Sequence, residues 1–479
     1  MLIRSFLAIL GLSGILLVSG CGTKPLGGGI GSGSTAPFTL AVTDQPPSGV
    51  TLLSFTITIT GAVLQPGNVA VLNSPVTIEV TQLQTDTNLL ANMTIPAGNY
   101  TDLILTFSNP SVTILNQSIP LGACAVGQIC QIAESLATST VDFNSTPLPL
   151  TVTSGTPVGM LLDFSLNNLL QSDMSFDLAA PGGFALSQIQ NVTTSSVLGT
   201  AGDVAGVVTS VGSNQFTFTT LGGISVTAST TSNTQFFFPA LTCAANDFTC
   251  VTTGEIIAAD LSLLGDGSFQ AGSVAFEDTS GNTGISGTVV SVDALANPPT
   301  FGIVVHGSAP AANGLPAGQP ATVRIQPTAM LLVDEDVLGL ASGFTFASAA
   351  DLVVGQEVLV RADTILLTPS PIIIQSTQIV LRQSEWTANV GVINAGNASF
   401  TLGSLPSLFT TAAPTNISIL NVDTSASTQF LNLTPAGIGG LASQNPVSVK
   451  GLVFNTITDI GSPSVVATVV VGRNPNALP

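Results

Sequence analysis

The sequence predicts an all-β protein in which a β-sandwich precedes three small β-barrels. Short segments alternate apolar and hydroxyl residues with a period of two, as in Phe55–Thr60, and this alternation is typical of half-buried strands. After Gly199, a pattern of five or six such segments recurs three times. Only 7 % of the residues are charged, and the scarcity of Lys and Glu disfavours long exposed helices.

The first folded region is expected to span residues 38–197. Further strands are predicted at Thr101–Phe107 and Leu148–Val152, and turn signals such as Pro96-Ala97-Gly98 separate the strands. The number and length of these segments suit a single β-sandwich. One segment, Leu161–Met174, is the candidate for a short helix.

Four short motifs follow one another in this region: Val42–Pro47, Ile57–Val63, Ile95–Thr101 and Leu161–Phe164. On these motifs the region resembles a family of bacterial lipoprotein domains, domain of unknown function 4382. Gln45 stands where the family often has Ala, and no Arg follows Tyr100. The resemblance implies a sandwich of the transthyretin-like or immunoglobulin-like type, and it implies no activity.

The three repeats are expected at residues 200–281, 284–383 and 386–473. Their opening strands begin at Gly206, Gly287 and Val390, and each repeat closes with an apolar strand. The first and third repeats share a Thr-Gln-Phe motif, at 234–236 and 428–430, which the middle repeat lacks. A closed barrel suits five or six short strands because closure removes exposed sheet edges.

These repeats resemble a second family, domain of unknown function 5666, which occurs as tandem repeats in exported bacterial proteins. The third repeat departs from the pattern, since Val390 replaces the opening Gly. OB-like barrels are therefore expected. An OB-like fold gives no ligand by itself, and the basic grooves and aromatic platforms of nucleic-acid-binding OB folds are missing here.

The first twenty residues have the form of a secretory signal. Arg4 precedes an apolar run, Phe6–Val18, that is too short to span a bilayer, and small residues follow it. Leu17–Cys21 resembles the bacterial lipobox, which implies cleavage after residue 20 and acylation of Cys21. The alternative is an ordinary signal with a chance cysteine. Gly22, in place of an aspartate, favours the outer membrane, and residues 21–37 form a polar tether.

The charge balance excludes one class of partner. Without the signal, six basic residues face 26 acidic ones, and no basic residue lies between Lys24 and Arg324. Nucleic-acid binding requires Lys and Arg to neutralise phosphates, so we expect no nucleic-acid partner. Docking on an anionic membrane face is disfavoured for the same reason.

The remaining cysteines form two close pairs, Cys124 with Cys130 and Cys243 with Cys250. In an exported protein this even count predicts disulfides, each closing a short loop. The alternative is a redox or metal pair, but no CxxC spacing is present.

Catalytic residues are hard to find. The candidate carboxylates are Asp44, Asp102 and Asp163, with Asp44 expected to cap a turn and Asp163 to cap a helix or end a buried strand. The acidic run Asp334-Glu335-Asp336 could help to bind calcium, although a solvated turn is the simpler interpretation. A Ser-His-Asp triad would have to use His306, which we expect at a surface or barrel-rim position.

These observations favour a non-catalytic cell-envelope lipoprotein that acts as a surface stalk or interaction module. We expect no cofactor, no metal and no enzymatic activity, a membrane attachment through the N-terminal lipid, and envelope proteins or glycans as partners. One alternative is a calcium- or carbohydrate-binding accessory module, for which Trp386 offers either ligand stacking or interdomain packing. The other is an unrecognised hydrolase that uses carboxylates.

Overall fold

The fold is all-β, as the sequence predicts. A computed structural model describes residues 34–455 and 463–473, apart from gaps at 46–50, 73, 85–87, 118–123, 134–135, 137–138, 172–174, 190–194, 222–223, 239–242, 279–281, 311, 313, 334–342, 369 and 412–416. The predicted signal, Cys21, most of the tether and the run Asp334-Glu335-Asp336 lie outside the described residues. Among the described residues, no helix combines the length and the apolar character that a membrane crossing requires.

Twelve strands are described in the first domain. They are β1 (Thr35–Gln45), β2 (Thr51–Gln65), β3 (Val69–Ala70), β4 (Val76–Glu79), β5 (Asn88–Pro96), β6 (Gly98–Tyr100), β7 (Asp102–Leu115), β8 (Ile129–Ala133), β9 (Thr140–Phe143), β10 (Leu150–Val152), β11 (Val158–Ser165) and β12 (Phe184–Ile189). One sheet has the order β12-β11-β1-β5. A second has the order β3-β2-β7-β8, with β4 added on β2 and β9 on β7, and β6 pairs with β10 in a separate two-stranded sheet.

The two sheets enclose one apolar core, as expected for a sandwich. Alternate residues of β1 and β11 on one side, and of β2 and β7 on the other, are completely or almost completely buried and belong to a single cluster. Tyr100 is fully buried in it, and its hydroxyl donates to the Pro96 carbonyl at 2.7 Å. The Tyr of the Ile95–Thr101 motif thus fixes the turn between β5 and β6.

Seventeen strands follow in the described part of the chain. They are β13 (Val197–Val211), β14 (Gln215–Thr220), β15 (Ser225–Ser229), β16 (Gln235–Phe237), β17 (Ile256–Leu264), β18 (Phe269–Asp278), β19 (Gly284–Asp293), β20 (Thr300–Ala309), β21 (Pro320–Val333), β22 (Glu357–Arg361), β23 (Thr364–Leu366), β24 (Ile372–Asn394), β25 (Ser399–Gly403), β26 (Leu420–Asp423), β27 (Gln429–Leu431), β28 (Pro446–Phe454) and β29 (Ser464–Gly472). The described residues also form two short α-helices, α1 (Leu166–Leu169) and α2 (Ser407–Thr411), and single 3-10 turns at Val80–Leu83, Phe248–Cys250, Ala349–Asp351, Ala395–Asn397 and Ile438–Gly440.

These strands form three closed five-stranded barrels with one topology. The first barrel runs β13-β14-β15-β18-β17 and returns to β13, and the parallel pair β15–β18 closes it. The second repeats this order with β19, β20, β21, β24 and β22 and closes through the parallel pair β21–β24. The third uses the second half of β24 with β25, β26, β29 and β28. When the five strands of each barrel are counted in chain order, the third pairs with the fifth. This pairing closes the sheet and leaves no exposed edge.

One expectation needs correction. The segment Leu161–Met174 is not a helix throughout, because residues 161–165 complete β11 and, among its described residues, Leu166–Leu169 alone are helical. The expected boundary between the second and third barrels, at residues 383–386, lies inside β24, a continuous strand of 23 residues, where the pairing passes from β22 at Arg382 to β28 at Gln383. The second and third barrels therefore share one strand.

The Thr-Gln-Phe motif has the same role in the two barrels that carry it. The hydroxyl of Thr234 donates to the Ala271 carbonyl at 2.7 Å, and that of Thr428 donates to the Ala467 carbonyl at 2.8 Å. The residues after each Thr then add β16 to β18 and β27 to β29 as parallel strands. The middle barrel lacks the motif, and its extra strand, β23, pairs with β24 in the antiparallel direction instead.

Polar contacts join the domains. Gly318 of the second barrel reaches the sandwich, where its carbonyl accepts from the Thr113 hydroxyl at 2.6 Å, and the adjacent Ala317 carbonyl accepts from the Gln131 amide at 2.9 Å. Trp386 packs edge-on against Phe409 and donates to the Gly355 carbonyl at 3.0 Å. Trp386 therefore serves packing between the second and third barrels.

Gly318 offers a test of the contact between the sandwich and the second barrel. Its φ is +81°, and a Cβ there would lie 2.7 Å from the Gln131 amide nitrogen and 2.8 Å from the Thr113 hydroxyl. Gly318→Ala should therefore lower the free energy of unfolding by about 1 kcal/mol, because Ala disfavours a left-handed backbone conformation. The added Cβ should also push the two domains apart and lower it further.

Gly155→Ala is the matched control, because Gly155 has a φ of +71° and nothing within 4 Å of the added Cβ. Urea unfolding of the full chain should show a clearly larger loss of stability for Gly318→Ala than for Gly155→Ala. Equal losses would mean that the contact between these domains does not form.

Candidate functional site

Both predicted disulfides are present. Cys124 is bonded to Cys130 and Cys243 to Cys250, with Cα–Cα distances of 5.9 Å and 5.6 Å. The first closes a turn that leads into β8, and the second closes the loop that ends in the 3-10 turn Phe248–Cys250. The pairs are therefore structural links within one loop each, as expected.

The three candidate carboxylates do not meet in one site. Asp102 begins β7, in the sheet opposite the one that holds the other two. Asp44 and Asp163 lie on the adjacent parallel strands β1 and β11, where Thr43 pairs with Asp163. Asp44 is fully buried, and the residues of the turn that it is expected to cap, 46–50, lie outside the described residues. The negative charges of Asp44 and Asp163 act on the guanidinium of Arg473.

His306 is not at the surface, which is one of the two positions expected for it. It lies in β20, and only 6 % of the residue is exposed. Its Nε2 atom is 2.8 Å from the Thr288 hydroxyl of β19 and 3.5 Å from the Glu357 carboxylate of β22. The β20 register and the pairing of β19 with β22 bring these three side chains together inside the molecule.

This cluster lacks the geometry of a catalytic triad. In a triad the hydroxyl and the carboxylate bond to opposite ring nitrogens, so that the carboxylate stabilises the imidazolium while the other nitrogen takes the hydroxyl proton. Here Thr288 and Glu357 both approach Nε2, and Thr288 also donates to Glu357 at 3.0 Å. Among the described residues, Nδ1 of His306 has no hydrogen-bond partner.

Burial changes the acidity of Glu357. Loss of hydration raises its pKa to about 7, and the nearby carboxylates of Glu79 and Glu385 act in the same direction. The charge of His306 and the hydrogen bond from Thr288 partly oppose this rise. Glu357 can thus change charge near neutral pH.

Arg382 forms a buried ion pair between the first two barrels. The guanidinium on β24 contacts the Glu277 carboxylate on β18, and each side chain is almost completely buried. The Gln378 amide donates to the Glu277 carbonyl at 2.6 Å, which fixes the same strand ends. Burial lowers the pKa of Arg382 to about 9.

Lys450 connects the third barrel with the first. Its ammonium group lies 3.4 Å from the Glu385 carboxylate on the neighbouring strand and donates to the Gly202 carbonyl of β13 at 3.1 Å. Burial raises the pKa of Asp260 on β17, and the positive charge of Lys450 opposes that rise. Two of the five basic residues in the described ranges, Arg382 and Lys450, are thus buried where barrels meet.

A cavity of about 200 Å³ lies at this junction. Its lining comes from the sandwich and from all three barrels: Thr77–Glu79, Gln82, Leu83, Ala201, Gly202, Val204, Ala205, Thr220, Leu221, Ile224, Val226, Leu261, Phe269, Ser286, His306, Glu357, Leu359, Arg382, Gln383, Glu385 and Lys450. We call it the junction cavity. Because it exists only where four domains meet, local sequence patterns gave no signal of it.

No metal centre is found in the ranges that the structure describes, since no three His, Cys, Asp or Glu side chains group closely enough to hold an ion. Glu79, although it lines the junction cavity, is engaged by the sandwich: it accepts from the Ser54 hydroxyl at 2.6 Å and from the Phe55 amide at 2.8 Å. The donors at this junction are therefore organised as ion pairs and hydrogen bonds.

Comparison with known proteins supports the expected family resemblance of the first domain. Residues 35–181 match the family model described as Domain of unknown function (DUF4382). No curated protein matches the chain. One similar solved structure, a multidomain protein with nucleic acid binding domains from Streptococcus pneumoniae TIGR4, shares 8 % identity over 55 % of this chain and 72 % of that chain, with a TM-score of 0.11. A TM-score this low does not indicate a shared fold.

The Arg382–Glu277 pair can be tested by single and double substitution. Arg382→Met leaves Glu277 buried without its guanidinium, so the free energy of unfolding should fall by about 3–5 kcal/mol. The double variant, Arg382→Met with Glu277→Met, should recover most of that loss because neither charge is then buried alone. Urea unfolding measures both, and a single variant as stable as the unsubstituted chain would contradict the pairing.

Glu357 predicts a specific pH dependence. Below its ordinary pKa of 4.5 the side chain is protonated in the folded and unfolded chains alike, whereas between 4.5 and about 7 only the folded chain retains the proton. Its stabilising contribution is therefore present below pH 4.5 and is lost as the pH rises through 7, by up to about 3 kcal/mol.

Glu357→Gln cannot titrate. Its stability relative to the unsubstituted chain should therefore rise by up to about 3 kcal/mol between pH 4.5 and 8. Urea unfolding at several pH values measures this difference, and a difference that stays constant with pH would contradict the raised pKa.

Proposed function

We propose that the chain is a non-catalytic cell-envelope lipoprotein. In this proposal the lipid on Cys21 attaches the mature protein to the envelope, with the outer membrane as the favoured site, and residues 21–37 separate it from the lipid surface. The two disulfides support an oxidising compartment outside the cytoplasm. The single histidine of the chain, His306, supports the absence of triad chemistry because both of its partners approach one nitrogen.

The observation that carries the proposed role is the joining of the four β-domains. The sandwich donates to the second barrel from Thr113 and Gln131, and it contacts the third barrel where the Thr51 and Ser407 hydroxyls lie 2.6 Å apart. The first barrel is joined to the second and third through Arg382 and Lys450. Such a body suits an interaction module with a continuous surface better than a flexible stalk of separate units.

The interaction role is testable with the full chain immobilised through its lipid. A fluorescent panel of envelope proteins and glycans should contain at least one binder, and binding should be lost when the chain is unfolded with urea. A panel without any binder would contradict the role as an interaction module.

A calcium- or carbohydrate-binding accessory role is the second candidate, favoured by the junction cavity rather than by a metal cluster. The acidic run Asp334-Glu335-Asp336 is the candidate calcium ligand, and calcium binding can be tested directly. A melting temperature that rises with millimolar calcium would support it, and an unchanged melting temperature would exclude it.

The anchor itself makes a direct prediction. In a bacterial host supplied with radiolabelled palmitate, the unsubstituted chain should carry label and enter the detergent phase on phase separation. Cys21→Ser should abolish both, because only this cysteine becomes the acylated residue.

The matched control is the double variant Cys124→Ser with Cys130→Ser, which removes a disulfide but leaves Cys21 in place. It should keep the label. Label retained by Cys21→Ser, or absent from the unsubstituted chain, would contradict the anchor.

A further inference from the structure

A pocket of about 640 Å³ opens on the surface of the first barrel. Phe236 of β16 lines one side of it, and Asn246, Asp247 and Phe248 line the other. The last three residues belong to the loop that the disulfide Cys243–Cys250 closes, which we call the disulfide loop. The volume is within the usual range of small-molecule sites, about 300–1,000 Å³. We call this space the loop pocket.

Two phenylalanine rings form the apolar part of the loop pocket. The ring centroids of Phe236 and Phe248 are 6.4 Å apart, and the ring planes meet at 66°. Both side chains are only partly buried, whereas Phe216 and Phe218 of the same barrel are fully buried in its core. Partly exposed rings in a pocket offer an apolar surface to a ligand, with little side-chain entropy to lose on binding.

The third barrel shows that the shared topology does not require this arrangement. Phe430 has the position of Phe236 there, because each residue ends the Thr-Gln-Phe motif and pairs in parallel with the last strand of its barrel. The residues from Leu431 to Gly440 contain neither an aromatic residue nor a cysteine. The disulfide loop and its Phe248 are therefore additions to the common barrel.

The disulfide loop presents a donor and an acceptor on neighbouring residues. The Oδ1 atom of Asn246 accepts from the Phe238 amide at 2.8 Å, which leaves the two donors of its NH₂ group for a ligand. The Oδ1 atom of Asp247 accepts from the Thr249 amide at 2.9 Å, and its Oδ2 atom keeps its capacity to accept. Because a hydroxyl group both donates and accepts, two adjacent hydroxyls can bond to this pair together.

Charge narrows the class of ligand. No Lys or Arg occurs between Lys24 and Arg324, so neither β16 nor the disulfide loop supplies a cation. The hydroxyl and the amide of Thr249 lower the pKa of Asp247, so its carboxylate is ionised at neutral pH and repels an anion. For a cation, this single exposed carboxylate provides little attraction. A neutral ligand with many hydroxyls and an apolar face matches both parts of the loop pocket, and neutral sugars have this chemistry.

We propose that the loop pocket binds a neutral oligosaccharide, with a sugar ring packed on Phe236 and Phe248 and two adjacent hydroxyls bonded to Asn246 and Asp247. The disulfide restrains the loop before binding, which lowers the entropy cost of ordering it. This inference names a ligand class for the proposed interaction module and rests on that role, but it does not depend on the lipid anchor.

Isothermal titration calorimetry on the full chain tests the site. The chain is kept in a polyoxyethylene detergent, which has no sugar headgroup to compete. The neutral probes are maltotetraose, cellotetraose, mannotetraose and N-acetylchitotetraose, and tetragalacturonate is the anionic probe. At least one neutral probe should bind one per chain with a Kd below about 1 mM, and tetragalacturonate should not bind.

Isosteric variants locate the binding. Asn246→Asp keeps the bond from Phe238 but replaces both amide donors, and Asp247→Asn keeps the bond from Thr249 but replaces the second acceptor. Each should weaken the bound probe at least about tenfold and leave the melting temperature nearly unchanged, because the loop keeps its own hydrogen bonds. Phe236→Ala should also weaken the probe at least about tenfold, through loss of the ring surface.

Phe430→Ala is the matched control. It removes a partly buried ring from the corresponding position of the third barrel, where the disulfide loop has no counterpart, and it should leave the binding unchanged. If Phe430→Ala weakens the probe as much as Phe236→Ala does, the loss reflects general destabilisation and the assignment to the loop pocket is wrong.

Further outcomes would overturn the proposal. Tetragalacturonate that binds as tightly as the neutral probes would reverse the charge argument, and binding that survives both isosteric variants would place the sugar elsewhere. The absence of saturable heat with every neutral probe would reject the sugar site even if the envelope panel contains a binder, in which case the interaction role stands without it. A panel protein whose binding is lost with Phe236→Ala would then assign the loop pocket to a protein partner.

Discussion

The cost of burying charge governs how the domains of this protein fit together. A charged side chain taken out of water needs a partner of opposite sign and further hydrogen bonds, otherwise several kcal/mol are lost. The chain has only seven basic residues, yet two of those described, Arg382 and Lys450, are almost fully buried. Each meets a carboxylate or carbonyl from a different barrel, so the domains can approach only in the arrangement that pairs these groups.

The shared strand β24 places both cationic sites. Its first half closes the second barrel and carries Arg382 toward the first barrel, and its second half opens the third barrel, where Glu385 contacts Lys450 of the paired strand β28. Because one continuous strand belongs to two barrels, those barrels cannot reorient freely. The junction cavity is the space left where the sandwich and first barrel meet this fixed pair, which explains why its lining combines apolar barrel mouth with buried charge.

Local patterns predicted the domains but not the way they meet. The alternation in Phe55–Thr60, the recurring opening strands and the shared Thr-Gln-Phe motif each report interactions within one sheet or barrel, and the structure has strands at all of these places. The junction instead joins residues far apart in sequence, with a separation of 105 positions for Glu277 and Arg382 and of 248 for Gly202 and Lys450. His306 illustrates the difference: an apolar strand followed by Gly307 suggested a barrel rim, whereas packing of other domains over that strand buries it.

Small-angle X-ray scattering tests the central claim, that buried pairing holds four β-domains as one body. Using Cys21→Ser to keep the chain free of lipid, we expect a radius of gyration close to that of a single globular protein of this length, about 23 Å, with a modest increase from the N-terminal tether. A markedly larger value, with the distance distribution of domains strung in a row, would contradict the shared junction and the cavity within it.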